Sequence, residues 1–271
     1  MRQQKESSEK NAPRDSAAML VALGILAYAA STMTHEALGH GGSCLLAGGH
    51  TVMLAVWSET CNFPGAPRLA VKTAGPAAQF GAGLIAWLVL HLRAMKNARV
   101  RYFLWLYMVF NLFIPSSYVA FSGFTNFGDA AEVIAGHEPH MVWESGLVLL
   151  GVVVYLLAMQ ATALELKRFA GLDQRSGRLY HLVWIPYVSV GVFACCTAAF
   201  TPAVGRETAI EMAALSSFAS GAGLFGLPDG HLRMSFLTPS ETAYVTWSPA
   251  WCVAAALVVA IFFLFLGPGL R

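Results

Sequence analysis

Charge is scarce in this sequence. Asp, Glu, Lys and Arg make up 12% of its 271 residues, about half the share usual in a soluble domain. A chain so poor in solvating groups is excluded from the ordinary soluble globular class. The net charge is only +2, so the basic surface that nucleic acid requires is missing, and no nucleic-acid partner is expected. The five cysteines, at 44, 61, 195, 196 and 252, contain no C-x-x-C pair, which argues against a thiolate metal site. No cleavable leader is expected either. The first apolar run begins near Ala17 and continues into a histidine segment, so its removal would discard the chemistry.

Hydrophobicity is what the sequence has: 56% apolar residues and a mean hydropathy of +0.58. Apolar runs cover about 17–38, 75–92, 102–121, 141–166, 182–200 and 249–266. Each is long enough for a hydrocarbon core of about 30 Å. The expected fold is an all-α polytopic membrane protein of about six transmembrane helices, with the lipid bilayer as its partner. A short β-rich piece, His50 to Glu59, follows the first helix and reads as a strand, hairpin or re-entrant segment. The second span is expected to open at Ala74-Gly75-Pro76, with proline in the first turn. Residues 61–67 and 227–231 read as turns.

The polar stretch 1–16, with Arg2, Lys5, Lys10 and Arg14, is expected to be a disordered cytoplasmic tail. Residues 136–271 read as additional membrane helices, with an outer-side interfacial segment near 201–247. Basic residues gather in the tail, at 93–101 and at 167–178, and are sparse elsewhere. The positive-inside rule then gives a cell (inner) membrane protein with both termini cytoplasmic. His35, His40, His50, Asp129, His137, His140 and His231 all fall toward the outer side on that reading.

The stretch around which the chain is organised is His35-Glu36-Ala-Leu-Gly-His40. A zinc-hydrolase helix carries H-E-x-x-H, with its histidines four apart; here they are five apart. On a regular helix they would diverge by about 140°. A locally widened or broken helix would reunite them, and the glycines at 39, 41 and 42 favour such a turn.

Downstream, Asn126, Asp129 and Glu132 share one face of any short helix, and an acid at membrane depth calls for a partner or a cation. Two histidines and a carboxylate, with water in the fourth position, make a catalytic zinc site. Glu36 beside that water would be the general base, with Asn126 as a donor to the oxyanion. Blander readings stand beside these. The histidines could hydrogen-bond across a bundle, Asp129 could be a solvated cap, and Glu132 could replace it as ligand. Cys44 and Cys61 share the outer side, where a disulfide is chemically possible.

In segment order the chain resembles the site-2-protease-like membrane metallopeptidases, the M50 type. The histidine-glutamate motif lies in an early membrane helix, Ala74-Gly75-Pro76 opens the next span, and an aspartate follows a third span. The resemblance covers about 17–135, a metallopeptidase-like membrane core, and the distal Asn126-Phe-Gly-Asp129 matches the family's Asn-Pro-Asp-Gly loosely. It implies zinc held by His35, His40 and Asp129, with Glu36 activating water. The function expected is zinc-dependent intramembrane hydrolysis of a membrane-tethered polypeptide. An ion- or proton-coupled transporter, or a non-catalytic membrane scaffold, are the alternatives. Nothing in the sequence fixes an oligomeric state.

Overall fold

The computed structural model describes residues 14–56, 59–62, 68–92, 95–173, 176–201, 205–227 and 242–270. Most of the tail (1–13), most of the turn-rich 61–67 connection and nearly all of the 227–231 turn lie outside the described residues.

The chain is an all-α polytopic membrane protein with six helices long and apolar enough to cross a membrane. The first is one continuous span, Ala17–Leu46, built from α1 (Ala17–Met33), a π-helical turn (Thr34–Gly41) and α2 (Gly42–Leu46). An antiparallel hairpin follows, β1 (His50–Leu54) and β2 (Glu59–Asn62), with a bulge between Thr51 and Met53. Next come α3 (Arg68–Leu92), α4 (Ala98–Thr125), the short α5 (Asp129–Ile134), α6 (His140–Ala170) and α7 (Ser176–Ala198). A broken element then runs through α8 (Arg206–Ala214), a π turn (Leu215–Ala219) and a 3₁₀ turn (Ala222–Gly226). The last helix is α9 (Pro249–Ile261), which ends in a further π turn, Phe262–Leu266.

α1 is the central post. Met19, Leu20, Leu23, Ala27 and Tyr28 are buried, packed against α4, α7 and α9. Without a water-exclusion force between helices in lipid, close approach of small residues does much of the joining. Gly24, for instance, lets Pro186 of α7 come so near that a β-carbon would sit 3.0 Å from its Cβ.

Two expectations are corrected here. α3 begins at Arg68, not at the Ala74-Gly75-Pro76 triplet, so Pro76 lies inside the helix. The proline cannot donate to the carbonyl of Lys72, which loosens the ladder in that turn.

The second correction concerns 201–247, expected to lie at the outer interface. Arg206 begins beside the far end of α7, Phe218 packs on Tyr187 and Gly191, and Phe225 stacks on Trp184. The segment therefore descends antiparallel to α7. By Ala243, whose N–H donates to the Phe169 carbonyl, the chain has reached the opposite end. From Arg206 to Ala243 the described residues pass from one end of α7 to the other, a seventh crossing on which Arg206, Glu207 and Glu211 are exposed.

The crossing changes the parity of the topology. The Ser16 N–H donates to Val245 O, while Leu270 exchanges both backbone hydrogen bonds with Leu54 of the hairpin. Ser16 and Leu270 thus lie at opposite ends of the first span, Ala17–Leu46.

Candidate metal centre

The π turn coincides with the His-Glu motif. Its hydrogen bonds reach one residue further than those of an α-helix, so residues five apart return to one face. His35 and His40 present Nε2 to Nε2 at 3.1 Å. The extra residue is absorbed on the outward side, where Leu38 is 70% exposed. Ser43 Oγ donates to the His40 carbonyl at 2.9 Å, taking up an acceptor in the widened turn.

One stripe of α3 holds both rings. Val71, Gly75 and Gln79 recur every four residues and so share a helix face. The Val71 carbonyl accepts from His40 Nδ1 at 2.8 Å. Gly75 lies against the His40 ring, where a β-carbon would fall 2.3 Å from Nε2. Gln79 Oε1 meets His35 Nδ1 at 3.0 Å, and its Nε2 donates to Ser31 Oγ at 2.9 Å. Gly39 completes the crossing, since a β-carbon there would stand 2.5 Å from Gly75 Cα.

With each Nδ1 carrying the proton it donates, each Nε2 offers a lone pair. Two acceptors facing each other at 3.1 Å do not bond to each other; their arrangement is one that could hold a metal ion. Asp129 Oδ2 adds a third donor, 3.7 Å from His40 Nε2. The three donor atoms lie within 4.8 Å of one another. Donors about 3.3 Å apart are what a tetrahedral zinc with 2.0–2.1 Å bonds to nitrogen requires. The donor set and its anchored ring orientations suit zinc.

Asp129 is delivered by a sharp turn at the end of α4. Asn126 caps that helix in the left-handed region, φ 53°. Gly128 follows at φ 92°, so close to Tyr118 that a β-carbon would meet its hydroxyl at 2.3 Å. Tyr118 Oη accepts the Asp129 N–H at 3.2 Å. Burial raises the Asp129 pKa above the usual carboxylate range, with His40 and Lys72 opposing and Glu132 adding to the rise. Glu132 does not join the histidines; it pairs with Lys72.

Glu36 is 7% exposed, and its carboxylate has no hydrogen-bond partner among the described residues. It opens, with both histidines and Asp129, into a chamber of about 1580 Å³. The chamber is walled by α4 (Ile114 to Phe121), by the seventh crossing (Thr208 to Ser220) and by the hairpin. Asn126 lines the same chamber.

A disulfide between Cys44 and Cys61 ties the end of the first span to β2. This pins the hairpin over the π turn, where Thr51 Oγ1 would lie 3.6 Å from a β-carbon on Gly41. His50, His137 and His140 are not among the grouped donors. His137 packs on Trp143, and His140 pairs with Glu144 at 3.3 Å.

Sequence reasoning missed the supports. Gln79 had a readable signal, a lone amide in the middle of an apolar span. The Val71 carbonyl had none, because a backbone acceptor carries no residue code.

The fold and site define a polytopic membrane protein with two histidines and an aspartate grouped as metal donors beside a buried glutamate. No family model, no curated protein and no solved structure matches the chain.

Proposed function

We propose that this protein is a zinc-dependent intramembrane hydrolase of the site-2-protease-like kind, cutting a peptide bond in a membrane-tethered polypeptide. The observation that carries the reading is the π turn, which turns an irregular five-residue spacing into two converging, anchored Nε2 atoms beside Asp129.

Bound zinc would supply Lewis acidity to a carbonyl and to a water. The chain's own residues supply the rest. Glu36, buried and without a hydrogen-bond partner among the described residues, takes the proton from water and returns it to the leaving amine. The Val71 carbonyl and Gln79 hold the rings in one tautomer. Asn126, which also lines the chamber, offers a side-chain amide donor for the oxygen that gains charge. The walls of the chamber reduce competing water.

Arg14, Lys96, Arg99, Arg101, Lys167, Arg168 and Arg178 belong to the end of the bundle that holds Ser16. That end is cytoplasmic by the positive-inside rule, in a cell (inner) membrane. The metal centre then faces outward, in agreement with a disulfide next to it, since disulfides persist in oxidising compartments.

The test is metal content of the purified chain in detergent, wild type against His35→Ala, His40→Ala and Asp129→Ala. About one zinc per chain, lost in each variant, is expected. A wild type that takes up no zinc sinks the reading.

A second reading, ion- or proton-coupled transport, draws on Glu165. This acid in α6 is 2% exposed. It takes Arg168 at 2.7 Å and His91 at 3.4 Å, and its Oε2 is unpaired among the described residues. It does not line the chamber. Proton-coupled flux in liposomes that Glu165→Gln abolishes would favour transport over hydrolysis.

A further inference from the structure

Tyr118 lines the chamber together with His35, His40, Glu36 and Asp129. It stands on α4, eleven residues ahead of Asp129, and the turn between them folds back onto its hydroxyl. Gly128 has no side chain to hold that hydroxyl off, since a β-carbon there would fall 2.3 Å from Oη. The Asp129 N–H then donates to Oη at 3.2 Å. The phenol is thus fixed at its far end by the backbone of a metal donor.

A tyrosine hydroxyl can accept and donate, and Tyr118 uses only the first capacity. Tyr155 shows the complete arrangement: its hydroxyl accepts the Gly223 N–H at 2.9 Å and donates to the Ser220 carbonyl at 2.6 Å. Tyr187 and Tyr102 likewise donate to the carbonyls of Phe218 and Leu182. The O–H of Tyr118 has no acceptor among the described residues, although it faces the same chamber as the histidines. Polar groups inside a fold are normally satisfied, so an anchored and unspent donor beside a metal centre points to a ligand. The N–H that it accepts also polarises the phenol and strengthens it as a donor.

Resting on the hydrolase reading, we propose that Tyr118 is a further catalytic residue, whose hydroxyl donates a hydrogen bond to the oxygen that gains charge when water adds to the scissile carbonyl. It acts beside the side-chain amide of Asn126 as a second donor. No proton is transferred: the phenol keeps its own, and the proton of the attacking water goes to Glu36.

The experiment compares two probes on the full chain, zinc-loaded, in detergent. One is a short leucine-based peptidyl phosphinate, whose phosphorus oxygens copy the charged tetrahedral adduct. The other is a mercaptoacetyl peptide of the same side chains, which binds zinc through sulfur and offers no such oxygen. Tyr118→Phe should weaken the phosphinate about 10–100-fold and the thiol less than about twofold, with zinc still at about one per chain. Unchanged phosphinate binding overturns the proposal. An equal loss of both probes, or a loss of zinc, also overturns it, because Tyr118 would then only hold Asp129 in place. Should Tyr118→Phe fail to fold, 3-fluorotyrosine in place of Tyr118 decides: its fluorine resonance should move with the phosphinate and not with the thiol, and a resonance that ignores both overturns the proposal. A wild type that holds zinc and binds neither probe counts against hydrolysis itself and ends this role with it. Every other negative result counts against Tyr118 alone.

Discussion

His35 and His40 bring their Nε2 atoms to 3.1 Å although four residues separate them in the chain, because the helix widens by one residue between them. The extra residue is therefore a local insertion, with the flanking helix in its ordinary register. Deleting the exposed Leu38 should convert the π turn to an α turn and leave the histidines four apart, still on one face. Zinc uptake should survive that deletion. Inserting an alanine after Leu38 should abolish it. The reverse pattern, measured as zinc per chain, would refute the π-turn account.

Gly75 should be among the least replaceable residues. Its β-carbon would collide with the His40 ring, at 2.3 Å from Nε2. Gly75→Ala is expected to cost about 1–3 kcal/mol through overpacking and to lose zinc. Gly81→Ala in the same helix meets nothing within 4 Å and should be silent in both melting temperature and metal content.

Gln79 orients His35 through Nδ1. Gln79→Leu keeps the volume but removes that acceptor, so zinc affinity should fall about 10–100-fold with the fold intact. Competition against a fluorescent zinc chelator would read the change directly. An unchanged affinity would mean that the ring is held by packing alone.

Proton and metal compete for Asp129. Burial lifts its pKa, so in the metal-free chain the carboxyl keeps its proton at pH values where a solvated aspartate has lost it. With the folded-state pKa above the unfolded one, this group favours the metal-free fold at low pH, and that contribution is lost as pH rises through the folded value. Metal binding to the ionised form reverses the trend. The rise in melting temperature on adding zinc should therefore be larger at pH 7.5 than at pH 5.5. Asp129→Asn should flatten the dependence.

The topology is testable without any activity. A reporter joined after Leu270 should report the compartment opposite to one placed before Ser16. Matching compartments would remove the seventh crossing.

Six of the crossings were legible because each is an uninterrupted apolar run, which is the signal lipid itself demands. The hairpin was legible from the β-branched cluster at Thr51 and Val52. The start of α3 was not, because Lys72 and Thr73 interrupt the apolar pattern and Pro76 mimics a first-turn proline. The seventh crossing was hidden for a related reason. Its Arg206, Glu207 and Glu211 lower the hydropathy of the stretch, so a hydropathy reading gives the wrong environment. At the site, the need for a widened turn followed from counting residues between His35 and His40 and from the glycines beside them. The partners that orient the rings, by contrast, lie some 30 to 45 residues away on α3, where only the packing reveals them.

The seventh crossing also constrains how the molecule is built. Alone in lipid, Arg206–Gly226 would strand three charged side chains and two irregular turns. The helices that shelter it, α4, α6 and α7, all precede it in the chain. Its packing partners are therefore all synthesised before it. The chamber gains its last wall late in synthesis, so a partly inserted chain holds the grouped histidines without an enclosed space in which to use them.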